Sequence, residues 1–508
     1  MNELSSKYGS EVNLEYRKSF GQFFTNPSIA RFMSQWVLEK GANRIYDPAF
    51  GLGAFYDAAI QISEELDFYG SELDGSILIF LNERSQILDK IKIDQQDYLL
   101  NWNERHENII CNPPYMRFQL FENRADVFSA FEKHLGLRVS GYTNIASAFL
   151  LKSLSELQEG GRLAYIMPLE FLNTGYGKLV KKMLLRNNAL KTIIRIDCEK
   201  EAFSNVITSV GIILVENNGI DNNVNFHVLE DLNDLQDILK NRPKASLACS
   251  GLNPADKWLK YFEDGKIEFN SRNLIKLEQY GSFSRGIATG ANEFFALSMS
   301  RARELGLPES ALKSCITKSN QVKSSIIRKN DIKSLITADL PVLVLDFKEP
   351  MDASLKRYIL YGERMGYNQR YLTKTRNPWF KLEHRTPAPL LFGVFSRNGF
   401  KAIRNLSEAI NLTCFHGFYP NLFGQGIIDY LFLYFNSKVA REILRINMRK
   451  YGDNLGKFEP NDLNTALVPS YDWFMNLGSD LIARSLKFIE KNGFIPDELE
   501  SKFNSLLS

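Results

Sequence analysis

The chain is poor in cysteine and lacks long hydrophobic runs, and each shortage removes a class of function. Its five cysteines (111, 198, 249, 315 and 414) are odd in number and scattered, without CxxC or Cys/His ligand spacing. That pattern argues against a disulfide framework and a structural zinc, and for a reducing compartment. No run of about 18 apolar residues is present to cross a bilayer. The segment Met1–Tyr16 is polar and mixed in charge, unlike a signal peptide. A cytoplasmic protein with no metal and no membrane partner is therefore expected. Internal repeats and low-complexity tracts are also missing.

What is present is a sequence of 508 residues, 44% hydrophobic and 24% charged. This is the balance of a globular chain with a sizeable core, and the length suggests two domains. Net charge is only +3, but residues 271–460 carry 29 Lys+Arg against 16 Asp+Glu, leaving 33 against 43 elsewhere. A basic second half beside an acidic first half suggests that one part docks on a polyanion while the other does chemistry. The first 216 residues alternate β-rich runs with amphipathic stretches, as a doubly wound α/β domain does. Strands are expected at 44–46, 67–71, 91–94, 108–111, 162–167, 192–196 and 209–215. Crossover helices are expected at 27–39, 54–66, 145–158 and 177–187. The expected organisation is a catalytic domain over 1–235, a charged connecting segment over 236–270 and an α+β domain over 271–508.

Chemistry concentrates where those strands end. Asn112-Pro113-Pro114-Tyr115 follows the apolar run 108–111, and two prolines fix φ and remove two backbone donors, holding the chain extended. An amide, donor-free carbonyls and an aromatic face are thereby offered at the carboxyl end of a strand, where open α/β sheets place ligands. After the first strand comes Asp47-Pro48-Ala49-Phe50-Gly51-Leu52-Gly53. Gly51 and Gly53 allow a sharp turn and close backbone approach to a ligand, while Asp47 can pair with a cation. Tyr56 stands where a dinucleotide fingerprint has its third glycine, which argues against NAD. Glu72, nineteen residues beyond Gly53 at the tip of the second strand, is placed to bind ribose hydroxyls. Asp97, just past the third strand, can accept from an adenine amino group. Ahead of them all, Phe20-Gly21-Gln22-Phe23-Phe24-Thr25-Asn26-Pro27 offers Thr25 or Asn26 as a helix N-cap.

Taken in order, FGQFFTNP, DPAFGLGAF, SELD, DYLL and NPPY resemble the DNA amino-methyltransferases that use S-adenosylmethionine. The first of these makes the chain similar to the γ-ordered N6-adenine subgroup of type II restriction-modification systems. The resemblance covers about the first 216 residues. It implies a seven-stranded Rossmann-like methyltransferase domain followed by an α+β target-recognition domain. It also implies a cofactor site of Thr25 (methionine carboxylate), Asp47 with Gly51 and Gly53 (methionine portion), Glu72 (ribose) and Asp97 (adenine). Asn112, Pro113 and Tyr115 would form the catalytic site, with Pro114 keeping them in register. Phe203 is the candidate aromatic that would pack on the target base opposite Tyr115. More loosely, Phe283–Asn292 resembles the opening of the recognition domain and Lys457–Leu463 its closing segment.

The function implied is methylation of N6 of a flipped-out adenine in duplex DNA, protecting it from a cognate restriction endonuclease that is a functional partner. A monomer is expected. N5-glutamine methylation of a protein and rRNA base methylation share the amide chemistry. The former enzymes are shorter and lack both FGQFFTNP and a basic second half. A non-catalytic DNA-binding subunit is the reading from another class, and Asp47, Glu72, Asp97 and Asn112 argue against it. A nuclease core is not expected from Pro496-Asp497 and Glu500-Ser501-Lys502, which crowd into one amphipathic tail. The target DNA sequence is not legible.

Overall fold

In the computed structural model the seven expected strands all belong to one sheet. They are Arg44–Asp47 (β1), Asp67–Glu72 (β2), Lys92–Gln95 (β3), His106–Cys111 (β4), Leu157–Pro168 (β5), Leu190–Ile196 (β6) and Val210–Glu216 (β7). The structure describes residues 3–507 apart from 14–15, 17–24, 42, 64, 85–86, 89, 103, 117–122, 140–142, 199–208, 264–272, 348–350, 397–398, 446 and 452–454. Phe203 lies outside the described residues, as do Phe20–Phe24. Two compact units are present, the first running from residue 1 to 265 with 450–453 and the second from 266 to 449 and 454 to 508.

The sheet of the first unit has nine strands, not seven, in the order β3-β2-β1-β4-β5-β7-β6-β8-β9. Asn223–Leu229 (β8) pairs parallel with β6, and Ala245–Ala248 (β9) pairs antiparallel with β8. The segment 236–270 is therefore no simple connection. It supplies the edge strand, and Cys249, Leu252, Trp258, Leu259 and Phe262 beyond it are buried in the first unit's core. Charged residues such as Asp237, Lys240, Asp256 and Lys260 disguised that core contribution by facing outward as pairs. The helix expected over 54–66 stops at Ala59, and Ile60 and Ile62 beyond it are exposed.

The central strands β4 to β7 bury both faces, and the alternation sorts their side chains into two cores. Ile109, Cys111, Leu163, Tyr165 and Met167 belong to one core, and Ile110, Ala164 and Ile166 to the other. A fully buried aliphatic chain of this kind contributes about 1.5–3 kcal/mol, so β4 and β5 are the stable centre. The helix Pro27–Leu38 covers the second core, with the helices Ala54–Ala59 and Gly75–Arg84. The helices Arg124–Leu135, Ile145–Glu156 and Gly177–Leu184 cover the first. Because the chain steps outward from β1 to β3 and then returns to place β4 against β1, the strand order reverses between β1 and β4. Ligands of open α/β sheets bind at such a reversal, beyond the carboxyl ends of the strands.

The second unit is α+β, as expected. Its five-stranded sheet runs Gly281–Arg285, Phe415–Pro420, Leu390–Gly393, Ala402–Leu406, Ile326–Arg328, and all its pairings but the last are antiparallel. Helices Ile428–Phe435, Lys438–Arg445, Ser479–Asn492 and Asp497–Asn504 share its apolar core with Phe283, Phe392 and Phe418. Glu500 caps one of these helices by accepting from Lys438 N at 2.8 Å, which gives the acidic tail a structural use. Phe283–Asn292 and Lys457–Leu463 come together at one place: Phe283 N donates to Asn464 Oδ1 at 2.6 Å, and Asn464 Nδ2 donates back to Phe283 O at 3.2 Å.

Candidate active site

The helix Pro27–Leu38 starts where its sequence demands. Asn26 is extended and accepts from Ser28 N at 2.9 Å as N-cap, and Pro27 occupies the first helical turn, where no backbone donor is missed. With Asn26 taking the cap, Thr25 is released for another task. Its Oγ1 accepts from Asn112 Nδ2 at 3.0 Å, joining two residues 87 positions apart. This bond fixes the amide so that Nδ2 faces Thr25 and Oδ1 is left as the acceptor of the group.

Asp47 ends β1 and is completely buried. Its Oδ1 accepts from Ala49 N at 3.1 Å, while Oδ2 is buried without a hydrogen-bond partner among the described residues. Burial pushes its pKa up to about 8, against the Ala49 amide, and the nearby Glu72 carboxylate adds to the rise. A buried carboxyl oxygen with nothing to accept is costly unless a donor or cation arrives. Beyond it the chain turns through Gly51 (φ 55°) and Gly53 (φ 78°), a left-handed backbone that favours glycine. That turn aims Gly51 N at Glu72 Oε2 (2.8 Å), and Glu72 Oε1 accepts from Asp74 N (2.8 Å). Burial raises the Glu72 pKa in spite of those two amides. Gly70, opposite Asp47 in the parallel register, lets β1 and β2 close up: a Cβ there would lie 2.3 Å from Asp47 O.

Asp97 lies two residues past β3, with Oδ1 accepting from Leu99 N at 3.0 Å, and burial raises its pKa too. Asn112 follows β4 directly, and Pro113 is buried beneath it. Tyr115 donates its hydroxyl to Ile166 O of β5 at 3.2 Å and packs against both cores, so burial holds the phenol well above its usual pKa. The structure thus brings Thr25, Asp47, Gly51, Gly53, Glu72, Asp97 and Asn112–Tyr115 to one edge of one sheet, around the reversal between β1 and β4.

Sequence reasoning missed the layer beneath. Tyr98, next to Asp97, donates to Glu156 Oε2 at 2.7 Å and shares a hydroxyl contact with Ser153 at 2.8 Å. Glu156 also pairs with the buried Lys152, whose ammonium lies 3.8 Å above the Tyr98 ring. The Lys152/Glu156 spacing was visible as an i,i+4 pair, but such pairs are usually solvated. Glu170, just past β5, accepts from Asn144 (3.2 Å) and Tyr176 (3.0 Å). Tyr16 donates to Asp74 Oδ1 at 3.0 Å, tying the N-terminal segment to the turn after β2. No local signal announces either. Among the described residues no cluster of three or more His, Cys, Asp or Glu could hold a metal ion.

The arrangement suits a ligand with a cationic centre at Asp47, vicinal hydroxyls at Glu72 and an amino-bearing ring at Asp97. S-adenosylmethionine has those parts in that order, and the unpartnered Asp47 oxygen fits its positive charge. Comparison with known proteins identifies the family. Residues 10–245 match the N-6 DNA Methylase family, and residues 256–492 match the C-terminal domain of Type II methyltransferase M.Eco57I. The Type II methyltransferase M.AccI of Acinetobacter calcoaceticus is 36% identical over all of this chain and 96% of its own. M.XamI of Xanthomonas campestris pv. amaranthicola is 22% identical over 89% of this chain and 85% of its own. Among solved structures, a DrdV–DNA complex is similar over 94% of this chain and 59% of that one, with TM-score 0.54 and 13% identity.

Proposed function

The chain belongs to the type II DNA methyltransferases, which makes it a site-specific adenine methyltransferase, and from that premise we propose the following division of labour. Thr25, Asp47, Gly51, Gly53, Glu72 and Asp97 bind S-adenosylmethionine, which supplies an electrophilic methyl group on a sulfonium. Asn112, Pro113 and Tyr115 bind the target adenine, with Pro114 stiffening the turn. The order of these segments along the chain supports the γ arrangement. The observation that carries the reading is the Asn112 amide, fixed through Nδ2 by Thr25 at the end of β4, the strand that pairs with the one Asp47 closes.

The amino nitrogen of adenine is a poor nucleophile because its lone pair is delocalised into the ring. Asn112 Oδ1 and Pro113 O can accept its two N–H bonds and draw it toward a pyramidal geometry, freeing the lone pair to form the N–C bond in line as the methyl–sulfur bond would break, the donor leaving as a neutral thioether and one amino proton being lost to solvent. Positioning then does most of the work. Asparagine accepts without placing a second negative charge beside Asp47. Duplex DNA buries that nitrogen, so the base must leave the stack, and Tyr115 offers an aromatic face at the same edge. A stacked base gains about 1–3 kcal/mol there. Phe203 remains our candidate for the opposite face. The basic second unit reads the DNA, and the cognate endonuclease is a partner in function.

Asn112→Ala is expected to bind cofactor and DNA yet lower methyl transfer by about 10²–10³-fold or more, the scale seen when one polarising group is removed. Tritiated-methyl incorporation into plasmid near the wild-type level would overturn the assignment.

A further inference from the structure

The second unit carries a surface where exposed apolar groups coincide with cations that make no ion pair among the described residues. Of the 22 exposed large hydrophobic residues among those described, five (Leu360, Tyr361, Met365, Tyr371 and Leu372) fall within thirteen consecutive positions. Residues 353–385 around them hold eight Lys and Arg against two Glu. Lys356, Leu360 and Arg364 repeat every four residues on the helix Ala353–Arg364, which aligns them as one exposed stripe. Lys356, Arg364 and Lys374 are exposed and make no ion pair among the described residues.

The loop after that helix is held by residues 288–293. Arg376 turns inward, donating from Nη1 to Thr289 O at 2.7 Å and from Nη2 to Ala288 O. Arg370 forms a two-pronged pair with Glu293, at 3.1 Å. Gly290 adopts φ 76°, and a Cβ on it would come within 2.8 Å of Leu372 Cβ, so glycine is required for the loop to seat. Thr373 is fully buried and donates to Arg370 O at 3.1 Å. Trp379 joins the core around Phe294 and donates to Glu363 at 3.1 Å. Arg376 and Trp379 are thus the anchors of the loop. What they present outward is Gln369, Tyr371 (69% exposed), Lys374 and Asn377.

We propose that this loop and the helix before it form the face of the second unit that docks on duplex DNA: Lys356, Arg364 and Lys374 neutralise phosphates, and Tyr371, flanked by Gln369 and Asn377, probes the bases. This rests on the reading of the chain as a DNA methyltransferase. Cations without carboxylate partners beside amides and an exposed ring are what a polyanion with flat heterocycles calls for. A rigid mount matters because base discrimination needs donors and acceptors held in place, and ordering a loose loop on binding would weaken affinity.

The test uses the full chain, linear plasmid DNA and S-adenosylmethionine. Lys356→Gln with Lys374→Gln should reduce the slope of log affinity against log salt by about 2, costing about tenfold in KM for DNA at 50 mM salt relative to 200 mM. Tyr371→Ala should weaken DNA binding by about tenfold, and Tyr371→Phe should restore most of it. Melting temperature and the calorimetric affinity for S-adenosylmethionine should not change in any of them. Wild-type slope and KM in the lysine pair, together with wild-type DNA affinity in Tyr371→Ala, would overturn the docking face while leaving the methyltransferase reading intact. Failure of the unmodified protein to methylate DNA at all would overturn that reading instead.

Discussion

Asp47 carries the sharpest consequence at the scale of single residues. Its pKa is about 8 in the folded protein against an ordinary 3.8. Between those values the folded state binds a proton that the unfolded chain has lost, so this group subtracts stability as pH rises from 3.8 to about 8. A cationic ligand prefers the ionised form, so its binding releases a proton, and affinity should climb as pH rises toward about 8 and then level off. Melting curves with and without S-adenosylmethionine from pH 6 to 9 should show the ligand-induced shift growing. Asp47→Asn should flatten that dependence and be the more stable protein without ligand near pH 9. A wild-type shift that is constant over this range would sink the role given to Asp47. Asp47, Glu72, Asp97 and Asn112 were legible because each closes or just follows a β-rich run, and sheets gather such positions at one edge. The Thr25–Asn112 bond was not legible, because spacing along the chain says nothing of which side chains meet across 87 residues.

Among elements, the helix Ile145–Glu156 does more than cover the sheet. Lys152 and Glu156 are both buried, and burial lowers the lysine pKa and raises the glutamate's, each opposed by the other's charge. Removing one partner strands a charge, so Lys152→Met should cost about 3–5 kcal/mol in urea unfolding. Lys152→Met combined with Glu156→Gln should cost clearly less, since no charge is left behind. Because Glu156 also holds Tyr98 beside Asp97, the single variant should weaken cofactor binding as well. Equal stability of the single and double variants would show that the pair is not the mount for that corner. Strand positions in this unit were readable because each core strand is a short apolar run. β9 was hidden by its alternation of exposed and half-buried residues, which looked like a charged, helical connection.

For the whole molecule, charge asymmetry was legible and the fold of the basic half was not. Its pairings join short strands far apart in sequence, such as Gly281–Arg285 with Phe415–Pro420 and Leu274–Lys276 with Leu467–Pro469. No local period encodes them. The Phe283–Asn464 clasp belongs to this set. Asn464→Ala leaves the buried Phe283 amide unsatisfied, a cost of about 1–3 kcal/mol, and scanning calorimetry should show it in one transition only. The transition raised by S-adenosylmethionine should stay where it is, and a fall in that transition would contradict the clasp's confinement to the second unit. The same geometry sets an order of assembly during synthesis. The nine-stranded sheet is finished once Ala248 has been made, whereas Leu274–Lys276 must await a partner almost two hundred residues later. At about 5–20 residues per second that wait is roughly 10–40 s. During it Leu274, Leu277 and Phe283, all buried in the finished protein, have no native core to enter. The nascent second half is therefore the part of this chain left longest with apolar surface exposed during synthesis, and it is the part to which our proposal gives the reading of DNA.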